Sequence, residues 1–281
     1  MNKITKETVK AFMPTRERTS YKGSYGRVLL VGGNENMAGA IIIAASAAVY
    51  SGAGLVTVAT HPSNKAALHA RLPEAMFVPM NNTQQLKNYV SSMDMIVIGP
   101  GLGRDDESLT ILRTVYETVK SHQILLVDGD GIYLHMNEVV PKPKATLILT
   151  PHLGEWRTLT NLSPDEQFVE VNQEYVKDLK AIVILKKART EVYFDDEVWE
   201  NTTGNPSMAT GGMGDALAGM IGGFVPQFDT IKEGILSAVY LHSYIADQLS
   251  LTHYVTLPTA IIEQIPKVMK DISKDKQKRW I

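Results

Sequence analysis

Between Gly204 and Gly219 the chain reads Gly-Asn-Pro-Ser-Met-Ala-Thr-Gly-Gly-Met-Gly-Asp-Ala-Leu-Ala-Gly. Gly211, Gly212 and Gly214 allow backbone N–H groups to turn inward where a helix begins, and the helix dipole adds partial positive charge there. Such a helix start is suited to phosphate oxygens. Asp215, at its lip, is badly placed to bind phosphate. It is well placed to take a proton from a nucleophile attacking one. The segment therefore predicts a phosphoryl-transfer centre, against the plainer reading of a helix with an aspartate in its first turn.

Other polar groups cluster where apolar runs end: Gly32-Gly-Asn34, Gly99-Pro-Gly-Leu-Gly103, Asp128-Gly-Asp130, Thr150-Pro-His-Leu-Gly-Glu155 and Lys186-Lys-Ala-Arg-Thr190. Asp128 and Asp130 are expected either to cap the following helix or to hold water on a Mg²⁺ shared with phosphates. His152 caps, packs or faces a ligand; Lys186, ending an apolar run, suits an anionic ligand. No Gly-rich loop ends in Gly-Lys-Ser/Thr, and Gly32 to Gly39 lacks dinucleotide-fold spacing. The seven histidines show no metal-ligand spacing, so no metal ligands are named.

These groups need a scaffold. Strand-like runs at Arg27–Val31, Leu55–Ala59, Met95–Ile98, Ile124–Val127, Thr146–Leu149 and Ile182–Leu185 are largely apolar throughout, as for strands covered on both faces. Helical patterns lie between them at Ala40–Ser51, Asn64–Leu72, Glu107–Ser121 and Pro164–Leu179, the last opened by Ser163-Pro-Asp-Glu166. Glu191–Phe194 and Val198–Thr202 read as a hairpin, followed by helices at Gly214–Phe224, Thr230–Leu249 and Pro258–Asp271. The alternation predicts an α/β fold with a mostly parallel sheet and helices on both faces. In such sheets ligands bind beyond the carboxyl ends of the strands, where the five polar loops fall. Without an internal repeat or low-complexity linker, residues 1–281 are expected to form a single domain.

Composition narrows the function. With 44% hydrophobic and 21% charged residues the chain is ordinary globular material, and a net charge of −2 gives no basic field for nucleic acid or an anionic membrane. Lys274, Lys276, Lys278 and Arg279 are expected to be a solvated helix end. The absence of cysteine excludes disulfides and thiol catalysis and fits a reducing cytoplasm. Met1 to Lys10 has no apolar run, so no signal peptide is expected. Gly52 and Gly54 break the apolar stretch Ala38 to Ala59, which reads as a buried helix and a strand rather than a membrane span.

The run Gly204–Gly219 resembles the signature of the ADP/ATP-dependent NAD(P)H-hydrate dehydratases, members of the ribokinase-like superfamily. Gly32-Gly-Asn…Met-Ala-Gly-Ala40, Gly99–Gly103, Leu126-Val-Asp-Gly-Asp130, Leu149-Thr-Pro-His152…Gly-Glu155 and Val183-Ile-Leu-Lys186 follow in family order, over about residues 20 to 270. The resemblance implies a ribokinase-like three-layer α/β/α sandwich. It also implies that a nucleotide phosphorylates the 6-hydroxyl of hydrated NADH or NADPH, after which phosphate leaves and the dihydronicotinamide is restored. By the same resemblance Asp215 is the base, and the N–H groups of Gly212, Met213 and Gly214 stabilise the transferring group. Ala40, Gly103, His152 and Asp215 line the hydrated cofactor. Lys186, Lys187, Ala188, Arg189, Thr190 and Gly214 hold the nucleotide. Lys187 stands where glycine is common, Leu153 where proline is frequent, and Gly129 and Gly131 replace alanines.

ADP, or ATP, is the implied co-substrate, with Mg²⁺ on its phosphates. Similar stand-alone bacterial enzymes imply ADP, the family implies a homotetramer, and the cytoplasm is the expected location. With no room for an epimerase domain, epimerisation is expected from a separate protein. The rival reading is a ribokinase-like kinase of a hydroxymethyl pyrimidine or thiazole vitamin precursor. A nucleotide sensor without turnover is disfavoured by the presence of Asp215.

Overall fold

A computed structural model describes residues 1–277. In chain order the elements are β1 (Asn2–Ile4), α1 (Lys6–Phe12), β2 (Arg27–Val31), α2 (Ala38–Tyr50), β3 (Leu55–Thr60), α3 (Lys65–Arg71), β4 (Met76–Pro79), α4 (Thr83–Val90), β5 (Met95–Ile98), α5 (Asp106–Thr118) and β6 (Ile124–Val127). There follow α6 (Asp130–Asn137), β7 (Thr146–Leu149), α7 (Leu153–Thr160), α8 (Val169–Leu179), β8 (Ile182–Leu185), β9 (Glu191–Tyr193), β10 (Val198–Asn201), α9 (Met213–Phe224), α10 (Ile231–Ser250) and α11 (Pro258–Gln277).

The strands form one sheet of 10, ordered β1-β10-β9-β8-β7-β6-β5-β2-β3-β4. Neighbours from β8 through β4 are parallel. The β9–β10 hairpin expected from sequence is present, and β9 is antiparallel to β8. Successive strand residues face opposite layers. Val28, Leu30, Met95 and Val97 enter a core shared with α2, α9, α10 and α11, while Leu29, Val31, Ile96 and Ile98 enter one shared with α4, α5, α7 and α8. This is the expected three-layer arrangement.

Small residues decide how α9 lies. A Cβ on Gly219 would come within 2.0 Å of the Ala44 carbonyl oxygen, and one on Gly223 within 2.7 Å of the Ala48 carbonyl oxygen. The alanine-rich α2 and glycine-rich α9 are thus in backbone contact, which seats the start of α9 at the carboxyl edge of the sheet.

Several expectations change. The helix predicted over Pro164–Leu179 is a short 3-10 turn, Pro164–Glu166, then α8; the Ser163–Glu166 capping box closes on that turn. β1 and β4, and α1, α4, α6 and α7, are additional elements. α6 and α7 begin inside polar loops, at Asp130 and Leu153, which hid them. Neither Asp128 nor Asp130 caps α6, whose N-cap is Gly129 without a side-chain cap. Lys278 and Arg279 lie outside the described residues. No helix among the described residues is long and apolar enough to cross a membrane.

Candidate active site

The five polar loops meet. Gly33 N–H donates to the Pro100 carbonyl at 2.9 Å and Asn34 N–H to the Gly101 carbonyl at 2.7 Å, tying the loop after β2 to that after β5. Gly99 has φ +125°, and a Cβ there would strike the Asp128 carbonyl oxygen at 1.8 Å, so glycine lets the loops after β5 and β6 close. Gly103 N–H donates to Asp130 Oδ2 at 3.0 Å. Thr150 Oγ1 and Lys186 Nζ both reach Asp128 Oδ1, at 2.6 and 2.7 Å.

Lys186 is the cation at the centre. Burial alone disfavours its charge, but Asp128, then Glu155 and Asp215, outweigh this and hold it above the ordinary lysine range. Over it stands the start of α9, since a Cβ on Gly214 would lie 3.3 Å from Lys186 Nζ and 3.9 Å from Asp128 Oδ2. Gly212, at φ +88°, is the N-cap and supplies no side-chain cap, so the first-turn N–H groups of α9 are left for another acceptor. Asp215 follows in that turn. Burial, with Asp128 adding to it, raises its carboxyl to about 6 against the pull of Lys186.

His152 begins α7. Its Nδ1 accepts the Gly154 and Glu155 N–H groups at 2.9 and 3.1 Å, while Glu155 Oε2 accepts the His152 N–H at 2.8 Å. The capping reading of His152 is therefore correct, and it leaves a ligand role open. With Nδ1 used as acceptor, a neutral ring carries its hydrogen on Nε2. Glu155 is raised by burial, opposed by Lys186.

A cavity of about 650 Å³ opens beside this centre, lined among others by His152, Lys186, Ala188, Thr190, Asn205 and Gly214. Met208, in the short turn before α9, with Leu217 on α9 and His242 and Ser243 on α10, extends it, giving an apolar wall with a few polar groups. Asp247 pins the far side, accepting the Gly204 N–H at 3.0 Å and Asn205 Nδ2 at 2.6 Å.

The loop after β8 divides. Lys186, Lys187, Ala188 and Thr190 line the cavity, whereas Arg189 Nη1 donates to the Thr202 carbonyl. Lys187 is also paired with buried Glu191 at 2.5 Å. In the loop after β5, a Cβ on Gly101 would touch the Ala40 Cβ at 3.0 Å, which puts Ala40 against the loop carrying Gly103. Asp130 Oδ2 accepts the Gly103 N–H and its Oδ1 accepts from Arg104 Nε at 2.7 Å, which ties the end of the loop after β5 to α6. Sequence reasoning missed Asp247, Arg104 and His242, since their partnerships are tertiary and carry no local motif.

A family model described as NAD(P)H-hydrate dehydratase matches residues 28–267. An ADP-dependent (S)-NAD(P)H-hydrate dehydratase of Staphylococcus aureus is 47% identical, over 96% of this chain and 98% of its own. The crystal structure of a ribokinase-like superfamily protein from Enterococcus faecalis superposes with a TM-score of 0.94 at 42% identity, covering 98% of this chain and 97% of that one. The Bacillus subtilis ADP/ATP-dependent NAD(P)H-hydrate dehydratase, co-crystallised with ATP and Mg²⁺, superposes with a TM-score of 0.85 at 30% identity, covering 96% and 98%. The fold is thus shared with these solved structures, and the chain belongs to the NAD(P)H-hydrate dehydratase family.

Proposed function

We propose that this chain is an ADP-dependent dehydratase acting on the S-epimer of hydrated NADH and NADPH, forming the dinucleotide, AMP and phosphate. The observation that carries the reading is the uncapped start of α9, set over Lys186 with Asp215 in its first turn. The nucleotide occupies the cavity beside Lys186–Thr190, its terminal phosphate at the N–H groups of Gly212, Met213 and Gly214. The hydrated ring lies between Ala40, Gly103, His152 and Asp215.

Asp215 takes the proton of the ring 6-hydroxyl, whose oxygen attacks the terminal phosphorus; the bond to the AMP oxygen breaks and AMP leaves. The α9 N–H groups and Lys186 hold the charge on the transferring oxygens. Phosphate is a far better leaving group than hydroxide. The ring nitrogen's lone pair expels it with the C–O electron pair, and loss of a proton from the adjacent ring carbon restores the dihydronicotinamide. His152, with hydrogen on Nε2, offers a donor toward the substrate side.

Mg²⁺ travels with the nucleotide in this proposal. Bound with the nucleotide, the ion would take phosphate oxygens and water as ligands, as Mg²⁺ does at nucleotide sites. Asp128 Oδ2, facing the Gly214 end, is the carboxylate oxygen placed to join them. The ion would neutralise phosphate charge.

Four further assignments belong to the same reading. The chain acts as a single domain, and a separate epimerase supplies the S-epimer. A cytoplasmic location is supported by the lack of cysteine. A homotetramer is supported by the exposed Leu251, Tyr254, Val255 and Leu257 between α10 and α11. The test of function is to add the protein to each hydrate with Mg²⁺ and ADP or ATP and follow dihydronicotinamide absorbance. Recovery, faster with ADP, is expected. No recovery with either nucleotide, with phosphorylation of a thiazole or pyrimidine alcohol, would give the kinase reading instead.

A further inference from the structure

The crevice is rich in carboxylates, with Asp128, Asp130, Glu155 and Asp215 around one lysine that the nucleotide side already uses. A hydrated dinucleotide nevertheless carries a pyrophosphate, and its ring must sit beside Asp215. Some cation on the substrate side has to balance that charge. Arg104 is the group in position, one residue after Gly103.

Three contacts prepare its guanidinium. Nε–H donates to Asp130 Oδ1 at 2.7 Å, and the plane lies over the Tyr133 ring with 4.2 Å to the centroid. Asp130 is itself steadied by the Gly103 N–H on its other oxygen, at 3.0 Å. Asp130 and Tyr133 are three apart on α6 and so share a helix face. The pairing uses Nε only. The Nη end of the fork, on a side chain 57% exposed, has no protein partner among the described residues. A guanidinium held at its base and open at its tip is preorganised for phosphate oxygens, because little side-chain entropy remains to be lost.

Resting on the dehydratase reading, we propose that Arg104, braced by Asp130 and Tyr133, binds the pyrophosphate bridge of the hydrated dinucleotide. Position separates this bridge from the other phosphate a substrate could carry. The bridge is one ribose away from the nicotinamide ring, and Arg104 directly follows Gly103, which the dehydratase reading sets against that ring; both hold onto Asp130. The 2′-phosphate of the NADP form lies beyond it, on the far ribose. An anchor on the shared bridge accepts both hydrates without distinguishing them.

Arg104→Gln and Arg104→Lys should raise KM for NADH hydrate and NADPH hydrate alike, roughly 10- to 100-fold for glutamine and less for lysine, with KM for ADP almost unchanged. Arg113→Gln, removing a half-buried arginine that among the described residues bonds the Val139 carbonyl alone, serves as control. Hydrated dihydronicotinamide riboside, which has no phosphate, should react equally with wild type and Arg104→Gln. An unchanged KM for both hydrates would overturn the proposal. So would a rise confined to NADPH hydrate, which would move the contact to the 2′-phosphate. An equal loss with the riboside would reduce Arg104 to a structural role and also overturn it. Binding of NADH, followed by its fluorescence, reads the contact without turnover. If wild type binds NADH but dehydrates nothing, the reaction reading fails, while the ratio of Arg104→Gln to wild-type affinity still decides the arginine.

Discussion

Lys186 Nζ lies 2.7 Å from Asp128 Oδ1, joining the end of β8 to the end of β6 across the intervening β7. Thr150, at the end of β7, donates to the same oxygen at 2.6 Å. Three adjacent strands therefore converge on one carboxylate oxygen, only 4% of the Asp128 side chain being exposed. The start of α9 is set directly over this pair, so it both supports the fold and floors the proposed phosphate site.

Breaking that pair should cost the fold as well as the reaction. Lys186→Met leaves a buried carboxylate whose one remaining side-chain donor among the described residues is Thr150, and removing one member of such a pair costs about 3–5 kcal/mol. Denaturant unfolding should show that loss. Adding Asp128→Asn to Lys186→Met should recover much of the stability and none of the turnover. Recovery of both would separate Lys186 from the chemistry.

The second prediction concerns Asp215. As a base it acts deprotonated, and with its carboxyl raised to about 6 the rate at saturating nucleotide should fall below that pH. Asp215→Asn should lose at least ~10²-fold in turnover, abolish that limb and keep its nucleotide affinity. The stability sign is opposite. The folded value exceeds the unfolded one, so folding favours the protonated carboxyl, and the cost appears as pH rises from about 4 to 6. Asn should therefore raise the melting temperature at pH near 8 relative to wild type and change it little near pH 4.

The strands of the parallel core were legible because burial on both faces makes them continuous apolar runs. Arg27–Val31, Met95–Ile98, Ile124–Val127, Thr146–Leu149 and Ile182–Leu185 are strands with those bounds. β1 was not, since two of its three residues are exposed and its pairing with β10 is purely tertiary. At the site, the helix start within Gly211–Asp215 could be read from residue type, and Gly212, at φ +88°, is the N-cap of α9. Arg104, Asp247 and His242 could not. Each acquires its place from groups distant along the chain, which leave no period or spacing to detect.

Packing of α9 gives the third prediction. Gly219→Ala places a Cβ 2.0 Å from the Ala44 carbonyl oxygen, so α2 and α9 must separate. Overpacking of this kind costs about 1–3 kcal/mol. Because α9 carries Gly214 and Asp215, KM for ADP should rise together with the loss of stability. A melting temperature equal to wild type would contradict the close approach.

His242 supplies the fourth. It is buried on α10, its Nε2 lacks a hydrogen-bond partner, and burial pushes it down to about 4. The folded value is depressed below the unfolded 6.5, so stability is full above that pH and is lost as pH falls toward 4. His242→Asn should flatten unfolding free energy against pH within this window. An unchanged slope would assign the acid sensitivity to other groups.

The central claim is that phosphoryl transfer at α9 drives a dehydration rather than ending in a phosphorylated product. The most direct measurement is the stoichiometry of one turnover series with hydrated NADH, Mg²⁺ and ADP, counting NADH, AMP and orthophosphate together. The account predicts that the three appear in equal amounts and that Asp215→Asn forms none of them. Accumulation of a phosphorylated hydrate without NADH, or NADH recovered without consumption of ADP, would contradict it.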